Sequence, residues 1–518
     1  MSIKSNYLRY FPIVESFSKL SHHARKLTGL ITLLFVLIIP IPSINGETYY
    51  VSSTGNDLNN GNVNSPWHTI AAAWVNSGGG DTVLVREGTY TESQIWFHPN
   101  SQGPGIKNQF WTLMAHPGEK VQFVNCRFII DAGYVRIQGL EFSGTSFLQA
   151  VSWAGIHEYI EILDNEFSGV PGVAIYFNAN NGLVQGNNIH PQWAVHGIYV
   201  MHGDNNVIRC NNIRGVEKYG IHIYDENKYG YAARITNLLV ENNIVIASQS
   251  RSGIIISAGQ SIDFSIEIDS VVVRNNVVIN NFEDGITIRY YGHVRNVDIF
   301  NNVLYGNRAD GLRISAEDVD RISVINNIFS SNGLHMDVTS NLNDLTISHN
   351  LYWHAESQGT GTADDHAVYG NPVFLNENNA DFHLMAGSPA IDVGLDVGLP
   401  YNGSAPDLGA FESGFLNLNE STGNRPDQFN LQQNYPNPFN NSTKIYYSLS
   451  NKSDVELSLF DISGHHIRTL VKANQIAGLK SVTWDGKDEK NNFVSSGIYF
   501  YMLQTGNFSS TKKMLIIR

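Results

Sequence analysis

One short phrase, two polar residues closed by an aliphatic one, recurs through the middle of the chain. It reads Asn187-Asn188-Ile189, Asn211-Asn212-Ile213, Asn242-Asn243-Ile244, Asn275-Asn276-Val277, Asn301-Asn302-Val303 and Asn326-Asn327-Ile328, with looser copies at Asp164-Asn165-Glu166 and His349-Asn350-Leu351. The second positions lie 23, 24, 31, 33, 26, 25 and 23 residues apart. A second phrase, Gly-aliphatic-x-aliphatic, keeps step with it from Gly172 through Gly197, Gly220, Gly253, Gly285 and Gly311 to Gly333. Two strand signals locked in phase, once per winding, describe a coil of short strands stacked on itself. The expected fold class is therefore all-β, a parallel β-solenoid.

Composition agrees with that reading. The chain has 518 residues, room for more than one domain, with 46 Gly and only 15% charged residues. Rung-to-rung pairing satisfies much of a solenoid's backbone, so few charges are needed. The net charge is −14, and the first 46 residues hold five Lys or Arg against one Glu, so the remainder is more acidic still. Such a surface argues against nucleic acid and anionic membrane as partners. The two cysteines, Cys126 and Cys210, are too few for a disulfide framework and read as thiols.

The organisation along the chain follows from local signals. Lys19, Arg25 and Lys26 precede an apolar run, Leu30 to Ile39, that ends at Pro40 and Pro42. The run is shorter than the roughly 20 residues a membrane span requires. Residues 1–46 thus read as a signal peptide cut near Gly46, and the protein as secreted or attached to the bacterial outer surface. An Ala-rich stretch, Trp67 to Trp74, predicts a short helix that plugs the open end of the coil. The coil is expected from about Asp81 to Trp353, inside a unit of residues 47–412 whose closing segment holds Asp392 and Asp407 as turn or cap ligands. Residues 413–430 read as a linker, and alternation in residues 431–518 predicts a small immunoglobulin-like β-sandwich.

Two resemblances extend these expectations. Tyr50-Val51-Ser52, Gly55-Asn56-Asp57, Pro66-Trp67-His68-Thr69-Ile70, Gly80-Asp81-Thr82-Val83 and Gly88-Thr89-Tyr90 resemble the N-terminal part of secreted right-handed parallel β-helix proteins. That group includes pectate lyases and chondroitinase- and alginate-lyase-like enzymes. The resemblance implies a right-handed coil and an extracellular polysaccharide as partner. The catalytic Lys and Arg motifs of the lyases match no position here, so it assigns no residue. Tyr435-Pro436-Asn437-Pro438-Phe439, Trp484-Asp485-Gly486, Ser496-Gly497-Ile498-Tyr499-Phe500-Tyr501 and Lys512-Lys513-Met514 resemble the C-terminal sorting domain of the type IX secretion route. This implies the secretion machinery as a second partner, and no chemistry in residues 431–518. An ordinary immunoglobulin-like accessory domain is the alternative.

The Asn pairs are expected to be structural, their amides bonding from rung to rung. Chemistry is expected on the outward positions of the Gly-aliphatic-x-aliphatic strand, because alternation turns them away from the core. One column then reads Ala174, Tyr199, His222, Ile255, Thr287, Arg313, His335, and the next Tyr176, Met201, Tyr224, Ser257, Arg289, Ser315, Asp337. Aromatic faces could stack on sugars and Arg could pair with an oxyanion. The candidate catalytic residues are His222, Tyr199, Tyr224, Arg289 and Arg313, with Tyr176 and His335 binding substrate. Asp204, Asp225 and Glu226 form a weaker candidate site for Ca²⁺.

The leading functional expectation is a lyase acting on a uronic-acid-containing glycan by β-elimination: a base takes the proton α to the carboxylate and a cation stabilises the resulting charge. A non-catalytic cell-surface glycan-binding protein, or an inverting glycosidase using Glu283 or Asp284 with Asp310, are the alternatives. Extra segments at Asn227–Thr236 and Ala258–Asp269 are expected to wall a cleft beside the strip, on a protein acting as a monomer.

Overall fold

The computed structural model describes residues 46–516 except 99–108, 151–156, 191–193, 225–233, 260–266, 290–292, 340–341, 343, 356–358, 360–362, 414–429, 432–433, 435–438, 440–441, 450–451, 476–477 and 507. Each winding of the coil uses three short strands, one on each of three faces. Arg234–Glu241, Ile244–Ile246 and Ile254–Ser257 make one winding, on the first, second and third face respectively. Successive windings pair in parallel, with Ile254 opposite Ile221 behind it and Ile286 ahead. The first and third faces join into one 23-stranded sheet, and the second is a sheet of 12 strands. Strands such as Gly172–Asn180 and Ala194–Asp204 run unbroken round the bend between the joined faces.

The coil is longer than the repeat suggests. Thr48–Val51 already pairs in parallel with Thr82–Val85, ahead of Asp81. At the other end Val368–Tyr369 pairs with Leu351–Trp353. These terminal rungs lack the Asn phrase, so repetition alone did not reveal them.

The Asn phrase makes a bend. The residue before each stacking Asn has a left-handed backbone: Asp164 (φ 54°), Gly186 (φ 70°), Cys210 (φ 56°), Asn242 (φ 55°), Asn275 (φ 54°), Asn301 (φ 55°), Asn326 (φ 57°) and His349 (φ 54°). Gly, Asn and Asp tolerate that conformation best, which accounts for most of the residues found there. The following Asn is buried and bonds to its equivalent one rung away. The Asn276 side-chain oxygen accepts from the Asn243 backbone N–H at 2.9 Å and from its Nδ2 at 3.0 Å. The ladder runs from Asn165 through Asn187, Asn211, Asn243, Asn276, Asn302 and Asn327 to Asn350, and ends on Asp364. At 187 and 211 the stacking residue is the first of the pair, elsewhere the second. A shorter ladder, Ser248 to Asn281, Asn307 and Asn332, holds the next bend.

The cap is as expected. Thr69 caps the helix Ile70–Asn76, and its Trp74 packs edge-on against Trp111 at 4.9 Å and Phe97 at 5.2 Å. The segment after the last rung folds back along the outside of the second face. There Phe374, Phe382, Leu384 and Leu408 cover Val277, Ile279, Val303, Ile328 and Leu351. Asp407 accepts from the Asp392 N–H at 2.8 Å and Asp392 from the Ser404 N–H at 2.9 Å, both acting as turn ligands. C-terminal to this, antiparallel sheets of three and four strands enclose a separate core with Leu431, Tyr447, Leu457, Trp484 and Tyr501. This is the β-sandwich the alternation predicts. Cys126 is a buried free thiol.

Candidate functional site

The outer side of the third face assembles most of the residues singled out by alternation. Pairing carries one column from Gln149 through Tyr176, Tyr199, His222, Ile255, Thr287 and Arg313 to Asp337. Successive members are about 4.8 Å apart. The middle of this column matches the sequence expectation and its ends do not. Tyr176, not Ala174, stands beside Tyr199, because Gly172 pairs with Ala194 and not with Gly197.

His335 is displaced altogether. Arg313 pairs with Asp337 and Leu312 with Met336, which sets His335 level with Gly311. A Cβ at that bend points inward: one built on Gly311 would meet the Phe329 ring at 2.6 Å. His335 is accordingly buried, 5.5 Å from the Tyr352 ring, and burial lowers its pKa to about 4. It is part of the interior and takes no place on the outer strip.

The strip is also far less open than expected. Tyr199, His222 and Tyr224 are 5%, 8% and 6% exposed. Tyr199 stacks on His222 at 4.3 Å and His222 on Tyr224 at 5.0 Å, with the Tyr176 ring tilted against Tyr199 at 5.2 Å. Rung spacing is close to a ring-stacking distance, so rings in one column use up each other's faces. What they offer a ligand is ring edges, hydroxyls and imidazole nitrogens.

Two residues missed in the sequence complete the patch. His196 and Tyr219 pair with each other one position before the Gly of their strands. Their rings stack at 5.4 Å, and His196 lies 4.5 Å and Tyr219 4.7 Å from His222. The available signal was the residue preceding each Gly. The bend at Gly turns that residue outward too, giving a third column of His196, Tyr219, Ser252, Asp284 and Asp310.

Arg289 reaches back across this surface. It donates to the Tyr219 hydroxyl, with its guanidinium 5.7 Å from that ring, and pairs with Glu283 at 3.3 Å. Arg313 is held differently. It bonds to Asp310 at 2.7 Å and lies 3.6 Å from Asp284 and 3.8 Å from Asp337, so its charge is already offset. That removes it as a charge stabiliser for a substrate. Asp284 and Asp310 share this one guanidinium, at 3.6 and 2.7 Å.

Burial sets the protonation states. His222 is pushed well below the usual imidazole range by burial, reinforced by coupling to His196 and by the charges of Arg289 and Lys218. Burial, with Lys218, takes His196 to about 3. Both rings are neutral near pH 7. Burial raises Asp284 to about 6 against the pull of Arg313, and raises Asp310 as well. Four buried polar atoms on this side have no hydrogen-bond partner among the described residues: Nδ1 of His196, Nδ1 of His222, Oγ of Ser257 and Oγ1 of Thr287.

Of the proposed calcium ligands only Asp204 lies among the described residues. Asp204 accepts from Thr236 Oγ1 and lies 3.8 Å from Arg234. Asp225 and Glu226 lie outside the described residues. Among the described residues, no group of three or more His, Cys, Asp or Glu could hold a metal ion.

Comparison with known proteins identifies both architectures. Residues 120–267 match the family described as "Right handed beta helix region", and residues 439–507 match "FlgD Ig-like domain". The uncharacterized protein YwoF of Bacillus subtilis (strain 168) is 26% identical over 341 residues, 58% of this chain and 70% of that protein. The crystal structure of pectate lyase Pel9A is similar to 71% of this chain over 96% of its own, at 16% identity and a TM-score of 0.46. The mannuronan C-5 epimerase AlgE6 A-module of Azotobacter vinelandii is similar to 58% of this chain over 93% of its own, at 13% identity and a TM-score of 0.37.

Proposed function

We propose that the protein is an exported lyase that cleaves a uronic-acid-containing polysaccharide by β-elimination on the third face of the coil. One observation carries this reading: four buried, unpartnered polar atoms gather beside Arg289 on a single outer surface. A buried polar group without a partner is destabilising, and grouped ones suit a ligand rich in hydroxyls. The substrate carboxylate would pair with Arg289. The neutral His222 imidazole, flanked by Tyr199 and Tyr224, would take the proton α to that carboxylate. The bond from the neighbouring carbon to the glycosidic oxygen then breaks, a carbon–carbon double bond forms, and the oxygen leaves with a proton from the Tyr219 hydroxyl. Because Arg289 donates to that hydroxyl oxygen, the hydroxyl's own proton points elsewhere.

The test is to incubate the full chain with a panel of uronic-acid polymers and follow the ultraviolet absorbance of unsaturated product. New reducing ends without unsaturation would reject elimination in favour of hydrolysis. A second reading, glycan binding without catalysis, is favoured by the burial of Tyr199, His222 and Tyr224. Retention on a glycan column with no product from any polymer would select it.

The same proposal takes residues 1–46 as the export signal and residues 431–518 as a type IX sorting domain. Deleting residues 431–518 should then leave the protein in the periplasm of a host that has this route, and surface delivery of the truncated chain would refute the assignment.

A further inference from the structure

The charges along the third face are unevenly distributed, and this bears on which polymer the site accepts. Around His222 the cations are Arg289 and Lys218, the latter near enough to depress both His196 and His222. One direction along the column leads to Tyr199, Tyr176 and Gln149, which are all uncharged. The other leads over Ile255 and Thr287 to Arg313, three rungs from His222, and then to Asp337. Arg313 is outnumbered there by Asp284, Asp310 and Asp337, all within 3.8 Å of it. Asp337 is the most accessible of the three carboxylates, with its side chain 18% exposed.

A rung is about 4.8 Å, close to the length of one sugar residue, so a polysaccharide lying along the coil meets these zones in succession. A carboxylate is welcomed at Arg289. Among the described residues nothing cationic awaits its neighbour on the tyrosine side, and on the other side the neighbour meets a net negative group in a poorly screened setting. We propose that the site selects a uronate flanked by uncharged sugars and discriminates against a continuous polyuronate, with Asp337 as a specificity-determining residue. This rests on the lyase reading above and narrows its substrate class.

The experiment compares one linkage in two charge states: a uronic-acid homopolymer and its partially methyl-esterified form, whose remaining carboxylates are isolated. A second polymer, with uronate and neutral sugar alternating, broadens the test. Initial rates of unsaturated product are read for the full chain and for Asp337→Asn. The esterified or alternating polymer should be cleaved at least about tenfold faster than the homopolymer, and Asp337→Asn should shrink that ratio several-fold at unchanged thermal stability. Equal or faster cleavage of the homopolymer by the native chain, or a ratio unmoved by Asp337→Asn, overturns the inference and leaves the lyase reading intact. No unsaturated product from any of the three polymers overturns the lyase reading itself, and this inference with it.

Discussion

The asparagine ladder and the outer surface of the third face are built by the same device, equivalent residues stacked one rung apart, yet their polar atoms meet opposite fates. In the ladder every amide is used. Asn243 donates to Asn276 and to the Ile208 carbonyl, and accepts from Asn211. On the third face, Nδ1 of His196, Nδ1 of His222, Oγ of Ser257 and Oγ1 of Thr287 are also buried and lack such partners among the described residues. A solenoid can therefore stack polar groups without penalty when it needs to. Leaving four unpaired on one surface marks that surface as built for something other than stability.

Substitutions should separate the two columns. The largest effects are expected on turnover: His222→Ala and Arg289→Ala should each lower the rate of elimination by at least about 10²-fold in protein that circular dichroism shows to be folded. Full activity in both variants would end the assignment of base and charge stabiliser. In the ladder, Asn243→Ala strands the Asn211 N–H and the Ile208 carbonyl, and should lower unfolding stability by about 3 kcal/mol in chemical denaturation. A loss no greater than that of an exposed Asn→Ala control would show the ladder to be passive.

Asp284 gives an effect of similar or smaller size, with a defined pH signature. Its folded pKa of about 6 lies above the ordinary 3.8, so the folded state binds the extra proton between those values. Stability should rise as pH falls through about 6 and level off near 4, by at most about 3 kcal/mol from this group. Asp284→Asn should flatten that segment of the stability profile. The smallest effect separates the two regions most sharply. Thr287→Val removes an unpartnered hydroxyl at constant shape, and should stabilise the free protein by about 1 kcal/mol while weakening glycan binding. Destabilisation by Thr287→Val would place the hydroxyl in the scaffold.

Much of the fold was legible because it repeats. The Asn phrase marks a bend at each winding, the Gly phrase marks the third face, and the Ala-rich run marks the helix Ile70–Asn76. Alternation correctly placed Tyr199, His222, Ile255, Thr287 and Arg313 in one outward column. It failed at both ends. Asp310 pairs with Leu334, so Gly333 stands level with Ala309; matching it to Gly311 slipped the register by two residues across a bend where alternation breaks, and sent His335 outward on paper, when its side chain lies inside. It also missed His196 and Tyr219, since strict alternation does not hold across the bend at Gly197 and Gly220.

The amino-acid sequence by itself determined the coil, its N-terminal plug and the separate β-sandwich, because each is written in spacings that neighbouring residues enforce. Tertiary structure alone decided that the Tyr199 and Tyr224 faces are spent on His222, that Arg313 is neutralised by carboxylates from three windings, and that Arg289 lies against Tyr219. Those outcomes depend on which side chains meet across rungs 23 to 33 residues apart and on their burial there. A local pattern cannot specify that, since a single-residue change at a bend reverses the direction in which a side chain points.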